Sequence, residues 1–235
     1  MKLLNALERR LYALSKQRSR RHLYTWLENA LDTYCTNDND EIISIGAGGE
    51  IEQVLISSGR KFRSLDIDSA RQPDIIASIE DIPAIESASL DVVVVMEVLE
   101  HVQRPLQAVS EIERVLKPGG IVIGSTPFML GIHDQPFDFY RYTLHGLTWM
   151  FRDFRCLSIR ERNGYFSALS VLILRRFAIG SARQRLIALC LSPLLVPLAL
   201  VLELLDKLLP SLDATTGYFF IFRKSPNEAE TSRDE

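Results

Sequence analysis

The chain has only three cysteines, Cys35, Cys156 and Cys190, far apart and without metal-ligand spacing. That pattern excludes a disulfide framework and a cysteine-built metal centre, no metal is expected, and a reducing, cytoplasmic setting follows. A charge excess of one sign is also missing: 27 Lys and Arg stand against 30 Asp and Glu, a net of −3. No extended basic groove or stacking-aromatic series is visible, so a nucleic-acid partner is not expected. Charges interrupt the first residues every few positions, so no secretory h-region forms. No unbroken bilayer span is present either. The most apolar stretch, residues 186–202, has 17 residues and contains Pro193 and Pro197, which is marginal for a crossing.

What charge there is lies unevenly. Residues 1–24 carry Lys2, Arg9, Arg10, Lys16, Arg18, Arg20 and Arg21 against the single acid Glu8. Arg175, Arg176, Arg183 and Arg185 precede a leucine-rich patch over residues 186–209. Leu3, Leu4, Leu7, Leu11 and Leu14 recur at three and four residues, which predicts a helix over residues 3–31. Such a basic helix either packs on the domain or lies on an acidic membrane surface. Residues 1–38 form an N-terminal helical extension, closed by the polar segment Thr36-Asn37-Asp38-Asn39-Asp40.

From Ile42 onward, strand and helix patterns alternate. Residues 42–45, 62–65, 75–77, 92–95 and 121–124 read as strands, and residues 50–58 as a helix stopped by Gly59. The β-branched run at 92–95 suits a strand covered on both faces. Pro105 opens a helix with Leu106, Val109, Ile112 and Leu116 on one face, and Pro118-Gly119-Gly120 forms the turn after it. This spacing predicts parallel βαβ units, hence an α/β, Rossmann-like, doubly wound sheet over residues 39–226. Thr143 is a predicted cap of a helix reaching Phe151, and residues 157–160 resemble a strand. Residues 164–212 are an apolar helical insertion, residues 217–223 the last strand, and residues 227–235 a disordered tail.

The first strand runs into Gly46-Ala47-Gly48-Gly49, and Asp66 ends the second strand 20 residues after Gly46. In this fold ligands sit beyond the carboxyl ends of the strands, where glycine admits a close approach and an acid can accept ribose hydroxyls. Nicotinamide enzymes and methyltransferases share that arrangement. The pyrophosphate fingerprint G-x-G-x-x-G lacks its last member, since Ile51 stands there, which counts against a dinucleotide-dependent oxidoreductase.

The linked segments Glu97-Val98-Leu99-Glu100-His101-Val102 and Glu111-Ile112-Glu113-Arg114-Val115-Leu116-Lys117-Pro118-Gly119-Gly120 are more specific. Over about residues 41–160 the chain resembles a class I S-adenosylmethionine-dependent methyltransferase. The resemblance implies a seven-stranded sheet whose last strand is antiparallel, and S-adenosylmethionine as cofactor. It also implies that Gly46, Ala47 and Gly48 pass beneath the methionine part, that Asp66 binds the ribose, and that Ile67 lies beside the adenine. Ser78, Ile79 and Glu80 would flank the adenine edge, and Met96 and Glu97 the methionine end. Residues 127–143 resemble a branch found with polysaccharide- or lipid-modifying enzymes. Three positions depart from the family pattern: Ser44 replaces an acid, Glu50 a glycine, and Ser78 an Asp. A cofactor-binding protein without turnover is therefore the alternative, beside a membrane-surface protein.

Methyl transfer is an in-line displacement, so holding the acceptor in place does most of the work, and a base is needed only where the acceptor loses a proton. The acceptor expected is a small or lipid-linked molecule bearing a hydroxyl. His101 either shapes the site or faces the acceptor. His133, with Asp134 and Asp138 nearby, is a candidate base or a loop hydrogen-bonding residue. Arg141 either clamps an anionic or sugar acceptor or pairs with Asp138, with Tyr142 beside it. Residues 186–209 are either a lid over the acceptor site or a contact with the inner membrane surface, shared with the basic N-terminal helix.

Overall fold

The apolar runs between residues 42 and 127 become strands of one sheet in the computed structural model, which describes residues 2–178 and 182–226. In chain order these are β1 (Ile42–Ile45), β2 (Arg63–Asp66), β3 (Ile75–Ile76), β4 (Leu90–Met96) and β5 (Leu116–Pro127). Strands β6 (Phe154–Glu161) and β7 (Gly217–Lys224) complete it, in the order β3-β2-β1-β4-β5-β7-β6 with β7 antiparallel. The first five strands pair in parallel. Val93, Val94 and Val95 of β4 are fully buried, as a parallel strand covered on both faces must be.

The helices are α1 (Lys2–Ser19), α2 (Leu23–Tyr34), α3 (Gly49–Ser57), α4 (Pro105–Val115), α5 (Leu144–Met150), α6 (Tyr165–Ala178) and α7 (Ala182–Leu208). Pro105 occupies the first turn of α4, where its missing N–H costs nothing. The Thr143 hydroxyl accepts from Gly146 N–H at 3.0 Å and caps α5 as expected. Helix α7 continues through Pro193 and Pro197.

Two expectations need correction. The helix predicted over residues 3–31 is two helices, broken at Arg20, Arg21 and His22. Strand β5 begins at Leu116, so Pro118-Gly119-Gly120 lies inside it as an irregularity between the pairings Leu90–Leu116 and Val92–Ile121. The tail expected over residues 227–235 lies outside the described residues.

Two compact units divide the chain. A helical unit takes the chain up to Leu23, Phe128–His133 and Glu161–Tyr218; a sheet unit takes Tyr24–Pro127, Asp134–Arg160 and the chain from Phe219. In the helical unit α1 and α7 pack against α6, and Leu11, Leu174 and Ala199 form a buried cluster. Arg18 and Arg21 of α1 both pair with Glu203 of α7. Asp206 accepts from the backbone N–H groups of Gly164 and Phe166 at 3.1 and 2.9 Å, at the start of α6, where a carboxylate is favoured.

Candidate active site

Strand register brings the glycine turn and the two candidate strand ends to one edge of the sheet unit. Ile45 is opposite Leu65 on one side and Val95 on the other, so Gly46, Asp66 and Met96 leave their strands together. The order 2-1-4 reverses between β1 and β4, the switch point at which such folds bind ligands.

The turn is built for close approach of two kinds. Gly46 has φ +91°, and a Cβ there would sit 2.8 Å from Val98 Cγ2. Its neighbour is the chain itself. Gly48 and Gly49 also have positive φ, +87° and +78°, but no atom lies nearer to their Cβ positions than Glu52 Oε2 at 3.9 Å. That part of the turn faces room.

Asp66 is buried, and its Oδ2 accepts from Ala47 N–H at 2.9 Å while Oδ1 accepts from Asp68 N–H at 2.8 Å. Arg71, missed by sequence reasoning, reaches the Ala47 carbonyl at 3.2 Å and Asp66 Oδ2 at 3.4 Å. A carboxylate has about four acceptor sites, so Oδ1 retains capacity for a hydroxyl donor. Ile67, next in sequence, is 74% exposed, an apolar side chain open to a flat aromatic ligand. The turn, Asp66 and Ile67 therefore fit an adenosyl cofactor.

The adenine-edge candidates are placed differently. Ile79 is buried, and Ser78 Oγ accepts from Glu80 N–H at 3.1 Å. Glu80 accepts from Arg104 N–H at 2.9 Å and Arg104 Nε at 2.7 Å, at the start of α4. The Arg104 backbone N–H, with its guanidinium adding, holds the Glu80 carboxyl below its ordinary range despite desolvation. Met96 is buried, and Glu97 takes the sparsely populated φ of +57°. Glu97 N–H donates to the Ser125 carbonyl at 2.9 Å, and Ser125 Oγ donates to Glu97 Oε1 at 3.0 Å.

Beyond β4, the segment 99–103 carries the loop 134–143. His101 ends a short 3-10 turn, and its Nδ1 hydrogen-bonds the Phe137 carbonyl. Its Nε2 lies 3.7 Å from Glu100 Oε1 and 3.9 Å from Asp134 Oδ2. Phe139 and Tyr140 N–H donate to the Glu100 carbonyl, and Tyr142 OH donates to the Leu99 carbonyl at 2.9 Å. Burial, then Glu100 and Tyr140, raise the Tyr142 hydroxyl well above its ordinary range, so it stays a donor. Arg141 binds Asp138 through both terminal nitrogens, at 2.6 and 2.7 Å. That hydrogen bonding outweighs burial and raises the guanidinium, with Glu100 and Glu97 adding. Of the two sequence alternatives for Arg141, the structure shows the pair with Asp138. His133 belongs to the helical unit, where Nδ1 lies 3.4 Å from the Gly131 carbonyl.

Residues 46–124 match a family model described as a methyltransferase domain. A ubiquinone biosynthesis O-methyltransferase of Thiobacillus denitrificans is 30% identical over 111 residues, covering 41% of this chain and 48% of the relative. The chain thus spans about half the length of the curated relatives it matches first. Among solved structures, an S-adenosylmethionine-dependent methyltransferase from Archaeoglobus fulgidus superposes with a TM-score of 0.54 at 16% identity, covering 86% of this chain and 94% of that one. The [4+2]-cyclase SpnF gives 0.53 at 14% identity over 85% and 81%. These likenesses show the shared fold, and residues 46–124 are similar to a methyltransferase domain.

Proposed function

We propose that the protein transfers a methyl group from S-adenosylmethionine to a hydroxyl of a small or lipid-linked acceptor. The observation that carries this reading is the alignment of Gly46, Asp66 and Met96 at the switch point, with Ile67 exposed beside them. The fold alone does not choose the reaction, since a cyclase shares it. The first-listed relatives named as O-methyltransferases support oxygen as the accepting atom.

When bound, S-adenosylmethionine supplies an electrophilic methyl group whose sulfur departs as a neutral thioether. Asp66 holds a ribose hydroxyl, the Gly46–Gly48 turn leaves room for the methionine chain, and Ile67 covers one face of the adenine. His101 is the proposed base. With Nδ1–H donated to the Phe137 carbonyl, the neutral ring keeps its Nε2 lone pair for the acceptor's proton. Glu100 Oε1 and Asp134 Oδ2 lie 3.7 and 3.9 Å from that nitrogen. His133 enters the test as the second candidate base.

Calorimetry with S-adenosylmethionine, S-adenosylhomocysteine and NAD tests the cofactor. Saturable binding of the two adenosyl ligands and none of NAD is expected. No heat at millimolar ligand, from protein shown to be folded, would sink the reading. Transfer of labelled methyl to phenolic acceptors by the wild type, His101→Ala and His133→Ala then separates the two histidines.

A further inference from the structure

Helix α7 is apolar on two faces, and only one of them is used by the fold. Leu195, Ala199 and Leu202 are buried, turned toward the helical unit's own core. Ile187, Leu191, Leu194, Leu198, Val201 and Leu208 recur at three-, four- and seven-residue steps, and all are exposed; Leu194 is 69% exposed. They form a second stripe beside the buried one. Contiguous exposed apolar surface of this kind marks an interaction site.

We infer that this outer face of α7 docks onto an anionic lipid surface, lying in the headgroup region without crossing. Three observations choose that occupant. First, the helical unit is strongly positive. Its segments carry thirteen Lys and Arg against five Asp and Glu, a net of +8, although the whole chain is −3. Arg183, exposed, precedes Ile187 by four residues and so lies on the same face, while Arg9 and Arg10 are exposed on α1. Second, the two acids of α7 are spent on internal partners: Glu203 on Arg18 and Arg21, and Asp206 on the backbone of Gly164 and Phe166. No acid then interrupts the stripe. Third, no described helix is long and apolar enough to cross a membrane, which leaves partial immersion as the way a bilayer covers these leucines. A second copy docked through the same stripe would bring two units of +8 together, which like-charge repulsion opposes.

The test is flotation of the full chain with vesicles of phosphatidylcholine alone and of phosphatidylcholine with phosphatidylglycerol. The expected partition is at least about ten-fold higher on the anionic vesicles and falls as salt rises. The double variant Leu194→Glu/Leu198→Glu should lose about ten-fold or more of that partition while remaining folded, because both side chains are exposed. Should that variant not fold, Arg183→Glu alone should lose about five-fold or more, near the contribution of one basic residue at such a surface. Equal partition of wild type and variants, or absence of flotation, would overturn the inference. So would a wild-type dimer, seen by sedimentation velocity, that the double variant dissociates. Cofactor binding is measured in parallel and stands or falls separately.

Discussion

The backbone N–H of Ala47 donates to Oδ2 of Asp66 at 2.9 Å, tying the glycine turn after β1 to the end of β2. One carboxylate thus sets the turn's shape and keeps acceptor capacity for a ligand. The two strand ends are held before any cofactor arrives, so less ordering is required on binding.

Asp66→Asn tests that double duty. The amide is nearly isosteric but loses the charge and one acceptor, so both the ribose contact and the bond to Ala47 weaken. Hydrogen bonds to a charged group contribute about 1.5–3 kcal/mol. S-adenosylmethionine affinity should therefore fall roughly ten- to a hundred-fold, read by calorimetry, while circular dichroism stays native. Unchanged affinity would remove Asp66 from the cofactor site.

The turn glycines should not be equivalent. Gly46→Ala adds a left-handed strain at φ +91° and drives a methyl group into Val98 Cγ2 at 2.8 Å, costing about 2–4 kcal/mol. Gly49→Ala meets no atom within 4 Å and should cost only about 1 kcal/mol for its backbone. Urea unfolding of both variants checks the ranking. Equal losses would mean that the Val98 contact does not matter.

The contrast between these positions shows what the sequence could and could not reveal. The sheet was legible because Val92 to Val95 and Ile42 to Ile45 are runs that suit little else, and Asp66 because strand length and spacing fix it. The break at Arg20 to His22 was not, since no Gly or Pro marks it. Leu11 and Leu14 pack in the helical unit, whereas Leu27, a few residues past the break, is buried in the sheet unit. Lys117 to Gly120 carries turn residues, yet Leu116 pairs with Leu90 and draws them into the strand. The engagement of Glu80 by Arg104 and of Tyr142 by Leu99 joins residues 24 and 43 apart, a separation that periodicity cannot see.

The Asp138 side chain is almost fully buried and pairs with Arg141. Removing the arginine takes a charged partner from a buried carboxylate, a change that costs about 3–5 kcal/mol. Arg141→Ala should therefore destabilise strongly. Arg141→Lys restores charge without the two-pronged geometry and should fall between. Denaturant midpoints at pH 7 decide this; equal losses in the two variants would mean that the charge does not matter.

Thiol reactivity offers a check on the core. Cys35 is 5% exposed, and burial pushes its thiol up to about 12, so it stays protonated and shielded at pH 8. Cys156 and Cys190 are exposed. A disulfide exchange reagent should titrate two thiols in the folded protein and the third only after denaturation. Three fast thiols would mean that Cys35 is open to solvent.

Acid should loosen the anchor at the start of α4. The Glu80 carboxyl titrates below its ordinary value near 4.5 because Arg104 N–H and guanidinium bind the anion. A carboxyl with a depressed folded pKa adds stability that is fully present above the unfolded value and lost as pH falls through the folded one. Asp74, held low by Ser64 N–H and hydroxyl, acts in the same direction. Unfolding midpoints should thus drop from pH 5 toward pH 3, and Glu80→Gln should be less stable than wild type at pH 7 with a shallower acid limb. Because that carboxylate is committed to Arg104, cofactor affinity in Glu80→Gln should change by less than about three-fold, within 1 kcal/mol. A larger loss of affinity with an unchanged acid limb would instead place Glu80 at the adenine edge, with Arg104 as its release partner.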